Sequence, residues 1–202
     1  MIKIKKIVSG VLAENCYVVY NSENLQAVVI DPGEDGEKVI FELVKYKLKP
    51  EMIINTHGHY DHVLSDDQIR LKFKIPLAIH RYELETVVNT SNLLNFSCSV
   101  KMPEIILEDG QEVKLTFTTF KVIHTPGHTK GSICLLFRDF LITGDTLFAG
   151  TIGRTDLIGG SYGEILGSLS KIKRLNPSLV IYPGHGSKTT LANELRHNPY
   201  LK

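Results

Sequence analysis

The segment His57-Gly58-His59-Tyr60-Asp61-His62 packs three imidazoles and one carboxylate into six residues. It directly follows the apolar run Met52-Ile53-Ile54. A buried His needs partners for both ring nitrogens, and a buried Asp needs a compensating charge. A metal ion meets these demands together. Imidazole and carboxylate without thiolate suit zinc, iron or manganese. Gly58 would let the backbone turn tightly between two ligands. The competing reading is a solvated polar loop that happens to hold three His.

Three further residues share this context. His128 lies in Thr125-Pro126-Gly127-His128-Thr129, Asp145 follows Leu141-Ile142-Thr143-Gly144, and His185 lies in Tyr182-Pro183-Gly184-His185-Gly186. Strand ends beside Gly/Pro turns are where side chains converge on one pocket. Each residue alone reads as an ordinary turn residue. Together with the dense segment they make five His and two Asp. One tetrahedral zinc takes three protein ligands and a water. Seven ligands therefore point to two divalent metals sharing a carboxylate and a water.

The elements that must position these residues alternate along the chain. Strands fit 2–8, 16–20, 27–30, 52–54 and 77–80, with helices over 35–47, 65–73 and 81–88. Residues 89–103 read as a long irregular loop. Within it, Leu93-Leu94-Asn95-Phe96 is either a wall over the site or core packing. Beyond it come strands near 105–107 and 112–123 and a hairpin over 133–143. The capping-box pattern Ser161-x-x-Glu164 opens a helix to about 174. A last strand at 179–182 and a last helix at 189–197 follow. The pattern implies one layered α/β domain over 1–202.

Composition narrows the function classes. The 202 residues carry 23 Lys+Arg against 22 Asp+Glu, a formal charge of +1, so no broad basic surface for nucleic acid is expected. A hydrophobic share of 43% argues against disorder. No apolar run approaches the roughly 18 residues of a membrane span. The N-terminus alternates apolar and basic residues without a secretory core, which predicts a cytoplasmic protein without a membrane partner. Three widely spaced Cys form neither a disulfide framework nor a metal knuckle. Cys16 and Cys134 fit small core positions, and Cys98 falls in the loop. The oligomeric state is not legible.

The order Thr56-His57-Gly58-His59-Tyr60-Asp61-His62, Pro126-Gly127-His128-Thr129-Lys130-Gly131-Ser132, Thr143-Gly144-Asp145-Thr146-Leu147-Phe148 and Pro183-Gly184-His185-Gly186 resembles the metallo-β-lactamase superfamily. The resemblance runs from Glu14-Asn15-Cys16-Tyr17 to Asn198-Pro199-Tyr200-Leu201. It implies an α/β fold, a four-layer αββα sandwich of two mixed β-sheets flanked by helices, with the metals at one edge. Gly153-Arg154-Thr155-Asp156 and the closing Asn-Pro-Tyr-Leu look most like the glyoxalase II (hydroxyacylglutathione hydrolase) branch. That branch cleaves thioesters such as S-lactoylglutathione. A sister branch, the persulfide dioxygenases, carries the same Gly-Arg-Thr-Asp.

By this resemblance His57, His59 and His128 would hold one metal, Asp61, His62 and His185 a second, and Asp145 would bridge them. The persulfide dioxygenase pattern would use a single iron on His57, His128 and Asp145. For the hydrolase, the resemblance implies two divalent metals, zinc first and iron or manganese as alternatives, with a bridging hydroxide that attacks the thioester carbonyl. Asp61 would orient that hydroxide or accept its proton, so Asp61 and Asp145 are the catalytic carboxylates. The metals would make one cleft locally positive, suited to a small anionic substrate. Arg154 would grip a substrate carboxylate, or else pair with Asp156. Tyr162 would line the pocket or merely begin a helix. Asp31 would support the His57 loop from behind or serve only as a turn residue. His80 and His124 are not expected to be ligands.

Other readings are an ester, lactone or phosphodiester hydrolase, or a non-enzymatic metal-binding module. A β-lactamase proper is disfavoured by the missing secretory signal. Two departures from the pattern stand out. Val63-Leu64-Ser65-Asp66-Asp67 replaces the small glycines of many relatives and is expected to add acid at the rim. The helical C-terminal extension with which longer relatives hold glutathione has no counterpart after His185, which leaves the substrate open.

Overall fold

Tyr17 and Val19 alternate along one strand with Cys16 and Val18, yet all four are buried. A sheet built of such strands must be covered on both faces. The computed structural model describes residues 1–93 and 102–202 and shows this arrangement. The first sheet holds β1 (Ile2–Ser9), β2 (Glu14–Asn21), β3 (Gln26–Ile30), β4 (Lys49–Ile54), β5 (Leu77–His80) and β6 (Ile105–Leu107), in that spatial order. The second holds β7 (Glu112–Lys114), β8 (Thr119–His124), β9 (Ile133–Leu136), β10 (Phe140–Gly144), β13 (Val180–Pro183) and β14 (Thr189–Thr190). Its order is β14-β13-β10-β9-β8-β7. A two-strand ribbon, β11 (Leu147–Phe148) and β12 (Thr151–Ile152), stands apart. The helices are α1 (Gly36–Lys45), α2 (Tyr60–Val63), α3 (Asp66–Phe73), α4 (Leu84–Leu93), α5 (Tyr162–Ile172) and α6 (Leu191–His197).

Three apolar layers follow from the alternation. Tyr17, Val19, Ile30 and Ile54 of the first sheet meet Phe120, Val122, Leu135 and Ile142 of the second. The opposite face of the first sheet, with Val18, Val29 and Ile53, packs on Val39 and Leu43 of α1 and Ile69 of α3. The opposite face of the second, with Cys134, Leu141 and Ile181, packs on Leu169 and Ile172 of α5 and Leu191 of α6. The result is the expected αββα sandwich with two mixed sheets. No helix among the described residues is long and apolar enough to cross a membrane.

Several expected boundaries shift. Residues 112–123 form two strands rather than one, because Leu115-Thr116-Phe117-Thr118 is a turn in which Leu115 N–H donates to Thr118 O. Helix α4 runs on to Leu93, past the end expected at 88. The site-wall reading of Leu93–Phe96 and the position of Cys98 lie outside the described residues. The strand at 180–183 is not the last, since β14 returns antiparallel beside it. Ser161 caps α5 as expected, accepting from Glu164 N–H, but its own N–H donates to Gly127 O rather than to the Glu164 side chain. Asp66, expected at the rim, is buried and accepts from the Asn55 amide.

Ile54 closes β4 in the inter-sheet layer, fully buried, one turn before the first histidine. Ile54→Ala should lower unfolding stability by about 2–5 kcal/mol, read from the urea midpoint at constant m. A loss below about 1 kcal/mol would show that the layer is not closely packed there.

Candidate metal centre

Strand direction decides where the site lies. β3, β4 and β5 run parallel, so their C-terminal ends share one edge of the first sheet. β10 and β13 run parallel, and β8 points the same way because both it and β10 are antiparallel to β9. The residues that leave these ends are Asp31, His57, Glu83, His128, Asp145 and His185. The two edges are stitched together by Ile133 N–H donating to Thr56 O at 2.9 Å and by a bridge between Glu14 and His185. Gly144, at φ +45°, is needed here, since a Cβ would run into the Thr56 side chain.

All seven sequence-predicted ligands come together in two groups. The ligand atoms of His57, His59 and His128 lie within 4.8 Å of one another, as do those of Asp61, His62 and His185. His59 Nδ1 is 3.1 Å from His57 Nε2 and 2.9 Å from His128 Nε2. Asp145 reaches both groups: Oδ2 is 3.5 Å from His128 Nε2 and 3.6 Å from His185 Nε2, and Oδ1 is 3.6 Å from His62 Nε2. Asp61 Oδ2 stands 3.2 Å from His185 Nε2 and 3.7 Å from His62 Nε2.

The outward-facing nitrogens fix the tautomers. Thr56 Oγ1 donates to Asp31 Oδ2, so it is free to accept from His57 Nδ1 at 3.2 Å. His128 Nδ1 donates to Arg154 O at 2.8 Å and His185 Nδ1 to Leu12 O at 3.1 Å. His62 Nδ1 faces Asp31 Oδ2 at 3.1 Å. Four rings therefore turn Nε2 inward, while His59 turns Nδ1 inward. This is how protein acceptors orient metal-binding histidines.

The electrostatics divide along the same line. Burial and the neighbouring imidazoles push His57 well below the usual imidazole value, His59 to about 4 and His128 to about 3. These three are neutral and ready to donate lone pairs. Burial opposes charge on His62 too, but Asp145, Asp31 and Glu14 outweigh it and raise His62 well above that value. Burial raises Asp145 against the pull of His62 and His185. Asp61 is held low because the His185 hydrogen bond and His62 outweigh its burial.

The donor set fits metal ions. His62 Nε2 and Asp145 Oδ1 are buried without a hydrogen-bond partner. Such atoms are costly unless something binds them. The N···O gaps from His62 to Asp61 and Asp145 and from His128 to Asp145 are 3.5–3.7 Å, too long for good hydrogen bonds, while His185 and Asp61 meet at 3.2 Å. Two ligands of one tetrahedral zinc stand roughly 3.3–3.6 Å apart, given bonds of about 2.0–2.2 Å.

The remaining predicted residues divide. Asp31 is buried at φ +48° and accepts from Thr56 N–H and Thr56 Oγ1, both at 2.7 Å, behind the His57 loop. The Arg154 guanidinium is exposed and forked onto Asp156 at 2.7 and 2.8 Å, the loop-fixing arrangement. Tyr162 stands exposed at the first residue of α5. His80 and His124 stack on each other, centroids 4.3 Å apart, and join neither ligand group. Cys16 and Cys134 are fully buried free thiols.

Sequence reasoning missed residues that hold the loops. Asn15 Nδ2 donates to Pro183 O and Gly186 O on either side of His185, and Tyr17 OH donates to Pro183 O. Glu83 links two ligand loops. Glu14 is buried behind His62 and pushed up to about 10 by burial. Isolated polar residues in apolar strands were the available signal. Gly58 has no positive φ; what it needs is space, since a Cβ would lie 2.8 Å from Val87 Cγ2 and 3.0 Å from Glu83 Oε2.

Comparison with known proteins shows the family. A family model described as the metallo-β-lactamase superfamily matches residues 9–185. The chain is 32% identical to a hydroxyacylglutathione hydrolase, GloC, of Haemophilus influenzae, over 93% of this chain and 92% of that protein. It superposes on the crystal structure of BLEG-1 B3 metallo-β-lactamase with a TM-score of 0.92 at 35% identity, covering 99% of this chain and 100% of that one. A di-iron-bound form of TTHA1623 superposes at 0.86 with 32% identity, over 98% and 100% of the two chains.

His80 offers a pH test outside the ligand groups. Burial and its stacked neighbour His124 lower it from 6.5 to about 4. The unfolded chain therefore takes up a proton that the folded chain refuses, and stability falls as pH drops from 6.5 toward 4. The stability of His80→Gln should fall less steeply than wild type across that window in urea denaturation. Parallel pH slopes would contradict this.

Proposed function

The chain belongs to the metallo-β-lactamase superfamily, and within it we propose a metal-dependent hydrolase that cleaves thioesters of the S-lactoylglutathione type. The observation that carries this reading is the complete second ligand group. Asp61, His62 and His185 stand beside the three-histidine group, and Asp145 reaches both. A single-iron centre on His57, His128 and Asp145 would leave that second group without a task. The likeness to a hydroxyacylglutathione hydrolase supports the same choice.

His57, His59 and His128 would hold one divalent cation, Asp61, His62 and His185 the other, and Asp145 both, with zinc the first expectation. When bound, the pair supplies a hydroxide at neutral pH and polarises the substrate carbonyl. Asp61 is held ionised and placed by His185, so it can orient the attacking oxygen and accept its proton. A thiolate leaves without a strong acid because a thiol pKa is near about 8.5. Arg154 can offer its fork to a substrate carboxylate by exchanging it with that of Asp156.

The likeness to a B3 metallo-β-lactamase favours a second reading, β-lactam hydrolysis. It differs in demand, since an amide nitrogen must be protonated as it leaves.

Metal analysis and parallel assays decide among these. About two divalent ions per chain with turnover of S-lactoylglutathione is the expected result. One iron with persulfide-dependent oxygen uptake, or faster turnover of a β-lactam, would overturn it. Bound metal with no turnover of any ester, thioester or persulfide would make the chain a binding module. Asp61→Asn should lower kcat about 10²–10⁴-fold even at saturating metal, and full turnover would remove its role. Arg154→Ala should raise KM for anionic thioesters at nearly constant kcat. An unchanged KM would leave Arg154 only its loop-fixing pair.

A further inference from the structure

Glu83 ends the short 3-10 turn Arg81–Glu83 after β5, far in sequence from every candidate ligand, and it is fully buried. Its Oε2 accepts from Gly58 N–H at 2.7 Å, and Gly58 separates His57 from His59. Its Oε1 accepts from Thr129 Oγ1 at 2.5 Å and from Gly131 N–H at 2.6 Å, in the loop that begins at His128. The two glycines are packed against it. A Cβ on Gly58 would lie 3.0 Å from Oε2, and one on Gly131 would lie 2.8 Å from both Glu83 Cγ and Oε1. One carboxylate therefore latches the two loops that carry all three ligands of the histidine group. One loop leaves the first sheet and the other leaves the second.

We propose that Glu83 is a positioning residue for the ion held by His57, His59 and His128, fixing the reach between the two loops, and that it does not serve the Asp61–His62–His185 ion. Its hydrogen bonds land on Gly58, between His57 and His59, and on Thr129 and Gly131, just after His128, whereas Asp61 and His62 follow on α2 and His185 lies on another loop. The proposal rests on the metal reading of the two groups but not on the substrate.

An amide cannot reproduce the latch. With its oxygen at the Oε1 position, a glutamine would turn NH₂ toward Gly58 N–H; flipped, it would turn NH₂ toward Gly131 N–H. Either way one ligand loop loses its anchor while the side-chain shape is kept. Groups that orient metal ligands typically change metal affinity about 10–100-fold.

The test is zinc titration of chelator-stripped protein against a chromophoric competitor, in two backgrounds that each keep one ligand group. His185→Ala leaves the histidine group intact, and His128→Ala leaves the other. E83Q should weaken zinc about 10–100-fold in the His185→Ala background and leave it unchanged in the His128→Ala background. Equal losses in both, or none in either, would overturn the proposal and leave Glu83 a general prop of the fold. Thr129→Val removes only one of the donors and carries the same test should E83Q fail to fold. It should show a smaller loss confined to the histidine group, and no loss there would overturn the proposal. Failure of wild-type protein to bind zinc at all would instead overturn the metal reading beneath it.

Discussion

Five imidazoles and two carboxylates meet where the two sheets share an edge, and His62 Nε2 and Asp145 Oδ1 find no hydrogen-bond partner there. Such an assembly is costly unless cations occupy it, because buried polar atoms lose water without gaining hydrogen bonds. Much of the surrounding structure serves to hold these groups together. The inter-sheet layer sets the separation of the two edges, and the parallel strands deliver their ends to one side. Buried polar side chains then fix the loops: Asp31 at Thr56, Asn15 at the His185 loop, and Glu83 between the other two.

The centre is asymmetric. Burial dominates at His57, His59 and His128 and leaves three neutral nitrogens. Around His62 three carboxylates outweigh burial, so that half favours positive charge. One half offers nitrogen alone, and the other offers mixed nitrogen and oxygen with most of the negative charge. If both halves hold ions, the carboxylate-rich one would be better suited to harder cations. Asp145 lies where both halves meet, which makes its contribution shared.

Five of the seven candidate ligands sit beside a Gly after an apolar run, and Asp61 and His62 follow in the same dense segment, so the candidates carry a local signal. A layered α/β domain was legible because strands covered on both faces read as continuous apolar runs flanked by amphipathic helices, and the four-layer order came from the family resemblance. The latches were not. Glu83 meets Gly58 across 25 residues and Gly131 across 48, and no short pattern marks it. The β7–β8 turn was hidden because Leu115-Thr116-Phe117-Thr118 carries strand-forming residues and neither Gly nor Pro. Helix α4 outran its expected end because the polar residues Asn89 to Asn92 cost only a few tenths of a kcal/mol each, about the propensity difference from good formers, once a helix is nucleated. Asp66 looked like a surface acid until Asn55 supplied a buried partner.

Anomalous diffraction from metal-loaded crystals tests the central claim most directly. The account predicts two peaks, one within bonding distance of His57 Nε2, His59 Nδ1 and His128 Nε2, and one beside Asp61, His62 Nε2 and His185 Nε2, with Asp145 reaching both. A single peak confined to His57, His128 and Asp145, or peaks away from these side chains, would contradict it.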